Sequence, residues 1–362
     1  MIDVVVVGGG IAGAATAIGL ARDGVRTVVL ERQRSPGAKV CGEFLSGVAL
    51  AELATLGTPA RALGAVPLAK VAVAATGVAA QIGLPFAAAS LTRHRLDEAL
   101  LACAEAHGAT VVRGVTVRRV ARCGAAWRVN ASCGRAWQAR RVVVASGKSD
   151  VPGRPRGAGL HGSLVGLKLY AEPSPSARAL LGEAVHLALF PGGYCGLQPV
   201  EDGRMNVCLV VEGSRLRALG RPEHVFQAVR RACPHADALL SGARIDDGRP
   251  LAVARLPYGA VRRATDGPIY VGDQAAVIPS FCGEGMAIAL VSARVAAGAL
   301  LAGTSSAEVQ RRLASRFGPR VRAAGLTSRL AVAPPAQRLA ATLARAAPAL
   351  LRAVAAATRS PA

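Results

Sequence analysis

The stretch from Asp3 to Arg32, DVVVVGGGIAGAATAIGLARDGVRTVVLER, constrains the fold more than any other part of the chain. Residues 4–7 are an unbroken β-branched run, the composition of a parallel strand buried on both faces, and they lead straight into Gly8-Gly9-Gly10-Ile11-Ala12-Gly13. Between a strand and a helix each glycine has a task. Gly8 permits the tight turn, Gly10 lets the backbone approach a pyrophosphate, and Gly13 lets the helix pack close to the strand. Ile11 and Ala12 open a helix whose free N–H groups and positive dipole end face the phosphates. Its Ala/Leu-rich body runs to about Asp23, with Gly24 to end it. Residues 27–30 form a second buried strand closed by Glu31 and Arg32, and Glu31 is placed to accept hydrogen bonds from an adenosine ribose. The pattern recurs at residues 157–162, Gly157-Ala158-Gly159-Leu160-His161-Gly162, but there it follows a Pro/Arg loop and not a strand, so it reads as loop.

A chain of 362 residues suits two connected domains, and with 52% hydrophobic but only 3% aromatic residues its core must be built of Ala, Val and Leu. The best apolar stretch, residues 286–302, is interrupted by Arg294 and is short for a bilayer. The opening apolar run is consumed by the phosphate loop, so no signal peptide is expected. The expectation is a cytoplasmic protein whose eight cysteines, scattered singly with no CxxC pair, stay reduced and hold no metal. The net charge of +22 does not point to nucleic acid: the basic residues are dispersed and few aromatics are present to stack on bases. Beyond Gly303 ten Arg face a single acid, Glu308. That imbalance suits peripheral contact with an anionic membrane surface through the C-terminus, while a solvated basic face is the plainer reading.

In chain order, residues 33–46 form a long loop with Lys39-Val40-Cys41-Gly42-Glu43 at its centre, followed by a short helix over about 47–56. Strands are expected at 66–74 and 79–86, a helix from Arg93 to about His107, and strands at 110–113, 116–121, 127–131 and 136–140. A separate strand at 142–145 then returns to the nucleotide sheet. Further strands at 163–171, 183–190, 195–199, 206–211 and 251–257 build a second sheet, with helix over 221–240 broken at Pro234. A short strand at 269–271 precedes Gly272-Asp273, a long helix runs from about Glu284 to Leu301, and Ser305-Ser306-Ala307-Glu308 fits a capping box. The fold class expected is α/β, with a discontinuous Rossmann-like nucleotide domain (1–65, 90–160, 265–302). Inserted in it is a mixed-sheet substrate domain (66–89, 161–264), and a helical C-terminal region (303–362), able to pack as a lid or lie on a surface, completes the chain.

A second site lies at Gly272-Asp273, followed by Pro279-Ser280-Phe281-Cys282-Gly283-Glu284-Gly285 and a helix. A strand-end Asp can accept from ribityl hydroxyls. Gly283 and Gly285 let backbone N–H groups and a helix N-terminus reach a flavin pyrimidine edge, where reduced flavin is negative.

With both ends of one extended FAD accounted for, residues 1–300 resemble the FAD-dependent oxidoreductases of the p-hydroxybenzoate hydroxylase fold, and among them the geranylgeranyl reductase-like group. The resemblance rests on the glycine loop with Glu31, the Cys41-Gly42-Glu43 loop, Arg93-x-x-Leu96-Asp97, the return strand ending at Gly147, and Gly272-Asp273 with Pro279 and Gly283. It implies that Arg93 contacts the FAD diphosphate or ribityl region, that Asp273 contacts the ribityl, and that Cys41 lies near the isoalloxazine. The group's Tyr-x-Trp-x-Phe-Pro segment appears here as Tyr194-Cys195-Gly196-Leu197-Gln198-Pro199, which implies a roomier and more polar pocket.

The leading expectation is a reductase that passes hydride from flavin N5 to a carbon–carbon double bond of a hydrophobic, isoprenoid- or polyketide-like small molecule, with NAD(P)H as a transient reductant. Cys41 with Glu43 nearby is the candidate proton donor or relay, and Tyr194 the candidate that orients substrate. The plainer roles are packing beneath the flavin for Cys41, capping the next helix for Glu43 and walling the pocket for Tyr194. A monooxygenase acting on an aromatic or polyketide-like ring and an electron-relay flavoprotein are the alternatives.

Overall fold

Strand β1 (Ile2–Val7) is buried along residues 4–7 because it lies inside a parallel sheet, with β2 (Thr27–Glu31) on one side and a long later strand on the other. The computed structural model describes residues 2–332 except 76, 158, 160–162, 247–248 and 264–266, together with 337 and 342. The second glycine pattern, at residues 157–162, lies mostly outside the described residues.

The remaining strands are β3 (Phe44–Ser46), β4 (Val66–Ala75), β5 (Val78–Ser90), β6 (Thr110–Arg113), β7 (Val117–Cys123), β8 (Ala126–Ala131) and β9 (Ala136–Val144). They continue with β10 (Leu164–Glu172), β11 (Ala184–Phe190), β12 (Gly193–Pro199), β13 (Met205–Glu212), β14 (Arg244–Ile245), β15 (Leu251–Val253) and β16 (Ile269–Tyr270). The first sheet has the order β6-β2-β1-β9-β8-β7, with β16 also beside β9. Its parallel part, β6-β2-β1-β9-β16, is the nucleotide-binding arrangement expected from the opening strand–turn–helix. The expected strands at 136–140 and 142–145 are one continuous strand. No turn residue separates Arg140 from Val142, so β9 pairs with β8 through its first half and with β16 through its second.

The second sheet runs β14-β10-β13-β12-β11-β4-β5-β3, with β15 also on β10. It is antiparallel apart from the β11–β4 pair, hence mixed. Phe44–Ser46, expected within a loop, forms an edge strand of this sheet through pairing with β5. The strand expected over 251–257 stops at Val253, because Arg255 adopts φ +55° and Pro257 has no N–H to give a ladder.

The helices are α1 (Ile11–Ala21), α2 (Gly47–Thr55), α3 (Arg93–Ala106), α4 (Pro175–Leu181), α5 (Gly213–Leu219), α6 (Pro222–Ala232), α7 (Pro234–Leu240), α8 (Gly285–Leu301) and α9 (Ser306–Val332). Small residues let them pack closely: α1 lies between α3 and α8, and a Cβ at Gly19 would stand 2.9 Å from the Cβ of Ala297. The first core is accordingly built from Ala, Val, Leu and Ile, with Phe317 of α9 among its few aromatics. Helix α9 begins as the capping box proposes, with Glu308 N–H donating to Ser305 Oγ at 3.3 Å. It buries Val309, Leu313, Phe317 and Val321 in that core, and Gln337 Nε2 donates to Phe190 O and Gly193 O in the β11–β12 hairpin. The described part of the C-terminal region thus seals the core. Among the described residues no helix is long and apolar enough to cross a membrane.

Candidate active site

The turn after β1 is fixed by close contact. A Cβ at Gly13 would fall 1.9 Å from Gly8 O, so only glycine lets α1 start this near the strand. The first turn of α1 holds no acidic residue, and Gly10, Ile11 and Ala12 line a solvent-open groove. Arg93 opens α3 on the same groove and forks onto Asp97, Nε to Oδ1 at 2.8 Å and Nη2 to Oδ2 at 2.9 Å, while Lys39 bonds the same carboxylate. Burial works against the Asp97 charge, but Arg93 and Lys39 outweigh it and hold the carboxyl below its ordinary value. Glu31 turns inward, accepting from Gly9 N–H at 2.7 Å and Gln33 N–H at 2.9 Å; it braces the glycine loop, and Arg32 is exposed.

The groove continues past Val40, Cys41, Gly42, Glu43 and Phe44 to Gly272, Asp273, Gly283 and Gly285 at the N-terminus of α8. Asp273 is paired with Lys148 at 3.4 Å, and Gln274 Nε2 ties this turn to Gly147 O at 2.9 Å. Gly283 has φ +68°, and a Cβ there would strike the Phe44 ring at 2.7 Å. The two motifs, some 260 positions apart in sequence, therefore line one continuous groove. Its features fit FAD: a helix N-terminus without acid next to Arg93, an Asp at the strand end, and a second helix N-terminus at Gly285. A Cβ at Gly42 or Gly285 would meet nothing within 4 Å, so both glycines face open space.

Glu43 lies within a buried charge cluster. Its backbone holds φ +58°, and its Oε1 pairs with Lys168 at 2.6 Å, accepts from Tyr170 Oη at 2.6 Å and caps α3 by accepting from Arg93 N–H at 2.8 Å. Its second oxygen, Oε2, is buried without a partner. The helix it caps is α3; α2, the next in the chain, has Ser46 at its N-cap. Burial and then the Glu43 charge push the Tyr170 hydroxyl far above the ordinary phenol range, which keeps it a donor. Cys41 Sγ accepts from Glu43 N–H at 3.3 Å, and Asn206 Nδ2 holds Cys41 O at 3.3 Å and Gly42 O at 2.9 Å. Lys168, Tyr170 and Asn206 escape sequence reasoning. The one signal is a lysine inside an otherwise strand-like apolar run, two positions from Tyr170 and so on the same face.

A second cavity of about 1070 Å³ opens beside the groove and shares Gly42, Phe44, Ser280 and Gly283 with it. Its walls include Val71 and Val73 of β4, Ile82 and Leu84 of β5, and Val185 and Leu187 of β11. Tyr194, Gly196, Gln198 and Cys208 are its remaining sheet residues besides Val210. The Tyr194 ring meets Phe281 edge-on at 6.1 Å, and burial pushes the Cys208 thiol up to about 12. Tyr258, lining the groove, bonds Ser280 at the shared seam, and burial pushes it up to about 12. Of the residues singled out in the sequence, Gly10, Ile11, Ala12, Cys41, Glu43, Arg93, Gly272, Asp273, Gly283 and Gly285 meet in the groove. Tyr194 faces the apolar cavity, and Gly8 and Gly13 shape the turn behind the groove.

Residues 3–43 match a family model described as FAD dependent oxidoreductase. A menaquinone reductase of Mycolicibacterium smegmatis is 26% identical over 83% of this chain and 76% of its own length. One of Mycobacterium tuberculosis is 27% identical over 82% and 75%. Among solved structures, the myxobacterial chondrochloren halogenase superposes with a TM-score of 0.77 at 23% identity, covering 99% of this chain and 90% of its own. A probable FAD-dependent monooxygenase of Pseudomonas aeruginosa gives 0.72 at 20% identity, over 94% and 98%. At these identities the structural likeness establishes the α/β fold of FAD-dependent halogenases and monooxygenases and no particular reaction.

Proposed function

We propose that this FAD-dependent oxidoreductase is a reductase that saturates a carbon–carbon double bond of a hydrophobic small molecule, with NAD(P)H as its transient reductant. The observation that carries the reading is the seam of Gly42, Phe44, Ser280 and Gly283, where the cofactor groove and the apolar cavity share a wall. The names of the two mycobacterial relatives, both menaquinone reductases, favour reduction of a lipid-like substrate over oxygenation. In this reading Gly10, Ile11, Ala12 and Arg93 hold the diphosphate and Asp273 the ribityl chain, with Gly283 and Gly285 beside the ring system. Bound FAD supplies two-electron hydride chemistry.

The apolar walls exclude water and orient the substrate. Glu43, Lys168, Tyr170 and Asn206 fix the Cys41 loop in place. A second hydrogen must reach the other carbon as a proton; in this reading Cys41, with Glu43 nearby, gives or relays it from the groove side, and Tyr194 orients the substrate from the cavity side.

The test is an anaerobic single turnover of NADPH-reduced, FAD-loaded protein with a prenylated naphthoquinone and with farnesal, products being read by mass spectrometry. A product that keeps two extra hydrogens on the prenyl chain after air has reoxidised any hydroquinone, with the farnesal carbonyl intact, supports the reading; reduction of the quinone or carbonyl alone, or a product that forms only under oxygen and gains an oxygen atom, refutes it. Cys41→Ser then tests the proton donor: a slower turnover supports the assignment, and an unchanged single turnover removes it.

A further inference from the structure

Lys148 lines the groove as a charged side chain to which the proposed reaction gives no task. It follows the end of β9, where Gly147 turns the chain at φ +60°. Its backbone is pinned on both flanks, since Gln274 Nε2 donates to Gly147 O at 2.9 Å and to Ser149 O at 3.2 Å. From that fixed base the side chain joins two of the motifs that meet in the groove. Its Nζ donates to Val40 O at 3.3 Å, one residue before Cys41, and pairs with Asp273 Oδ2 at 3.4 Å.

The surroundings of Cys41 are electropositive. Its sulfur accepts from Glu43 N–H at 3.3 Å, and the Arg93 guanidinium stands within hydrogen-bonding reach of it. The Glu43 carboxylate is committed elsewhere, to Lys168, Tyr170 and Arg93 N–H. Burial works against the Lys148 charge, but Asp273, Cys41 and Tyr258 outweigh burial and the nearby Arg93, and hold the ammonium above its ordinary value. Lys148 therefore remains a cation at neutral pH. The attraction is mutual, because a cation held beside a sulfur favours negative charge on it.

We infer that Lys148 is a positioning residue for the Cys41 proton step, holding together with Arg93 the charge left on sulfur as the proton departs. In that step the S–H bond breaks and a C–H bond forms on the carbon next to the one that takes the hydride. The electron pair of the S–H bond stays on sulfur as thiolate, and a proton from solvent in the open groove restores the thiol. Lys148 acts through Cys41 and gives no proton itself. This inference rests on the reading of Cys41 as the proton donor of a reductase.

The test reads Cys41 directly. FAD-free protein is alkylated with iodoacetamide and half-buried Cys41 is followed by peptide mass spectrometry, with buried Cys195 and Cys233 reporting the integrity of the fold. Lys148→Met should slow Cys41 alkylation at least about threefold, and Lys148→Arg should restore most of the rate. Asp273→Asn, which leaves the ammonium without its carboxylate, should speed it. A wild-type rate in Lys148→Met, or equal slowing in Lys148→Arg, overturns the inference. Where Lys148→Met exposes Cys195 and Cys233 to the reagent, Asp273→Asn decides: Cys41 must gain rate with those two thiols still masked, and no gain overturns the inference. Anaerobic single turnover of FAD-loaded protein separates the two readings. Lys148→Met should slow prenyl-chain reduction in the presence of Cys41 and add nothing in Cys41→Ser. The alkylation effect without any prenyl-chain reduction sinks the reductase assignment and keeps the charge pairing; prenyl-chain reduction at the wild-type rate by Lys148→Met overturns the inference and keeps the reductase.

Discussion

Lys168→Met perturbs a fully enclosed charge. Lys168 and Glu43 both have 0% side-chain exposure and stand 2.6 Å apart. The remaining partners of Glu43 Oε1 are the Tyr170 hydroxyl and the Arg93 N–H, and Oε2 has none. In such a pair the mutual attraction and the loss of hydration largely cancel, so the intact pair adds little, whereas removing one partner leaves an ion without compensation. Methionine preserves the unbranched apolar stem and deletes only the ammonium. The expected loss is about 3–5 kcal/mol. At about 2 °C per kcal/mol for a chain of this size, the Tm should fall by about 6–10 °C. The double variant Glu43→Gln with Lys168→Met should recover most of this, because a neutral amide can still accept from the Arg93 N–H without an ion to neutralise. Calorimetry and urea unfolding should be run on FAD-free protein and again with saturating FAD, so that weakened cofactor binding is not read as weakened packing. A loss below about 1 kcal/mol in the single variant, or a double variant no more stable than the single, would refute the account of this cluster.

Three further outcomes are expected. Asp97→Asn should cost about 3 kcal/mol at pH 7, read by urea unfolding, because it strips Arg93 of its forked partner. Since the Asp97 carboxyl is held below its ordinary value, its contribution is complete above the unfolded carboxylate pKa of about 4 and fades as pH falls through the lower folded value; the wild-type advantage over the variant should shrink accordingly in strong acid. Gly13→Ala should abolish FAD retention, measured as the flavin-to-protein absorbance ratio, because its Cβ would fall 1.9 Å from Gly8 O. Buried His186 and half-buried His235 stand with Nδ1 and Nε2 2.9 Å apart, and desolvation lowers both pKa values. Stability should therefore decline as pH drops below about 6.5, and His186→Leu should flatten that decline in Tm-against-pH curves.

The groove proposed for the cofactor was legible as a meeting place of motifs because its parts are local. The glycine loop, the α3 start at Arg93 and the Gly272-Asp273 turn each carry a short pattern with a backbone reason, and a single sheet brings them together. The substrate side was not legible in the same way, because its residues are gathered by ladder register. Lys168, Cys208, Gly196 and Leu187 form one row only once four strands are aligned. The role of Glu43 was hidden for the same reason: its partners Lys168 and Tyr170 lie more than a hundred positions away. For Glu31 the motif names the residue, and the structure adds a bond that the motif does not predict, from Gly9 N–H to its carboxylate. Helix α9 reads as a basic surface helix from its charge, yet Val309, Leu313, Phe317 and Val321 form a buried stripe at helical spacing that the arginines obscure.

In the proposed reading one FAD spans the groove with its ring system at the seam between groove and apolar cavity. A crystal structure of the FAD-loaded protein tests it most directly. The diphosphate should lie against Gly10, Ile11, Ala12 and Arg93, the ribityl chain beside Asp273, and the ring system at Gly42, Phe44, Ser280 and Gly283 with one edge open to the cavity. A ring system lodged away from that seam, or a diphosphate away from the opening glycine loop, would contradict it.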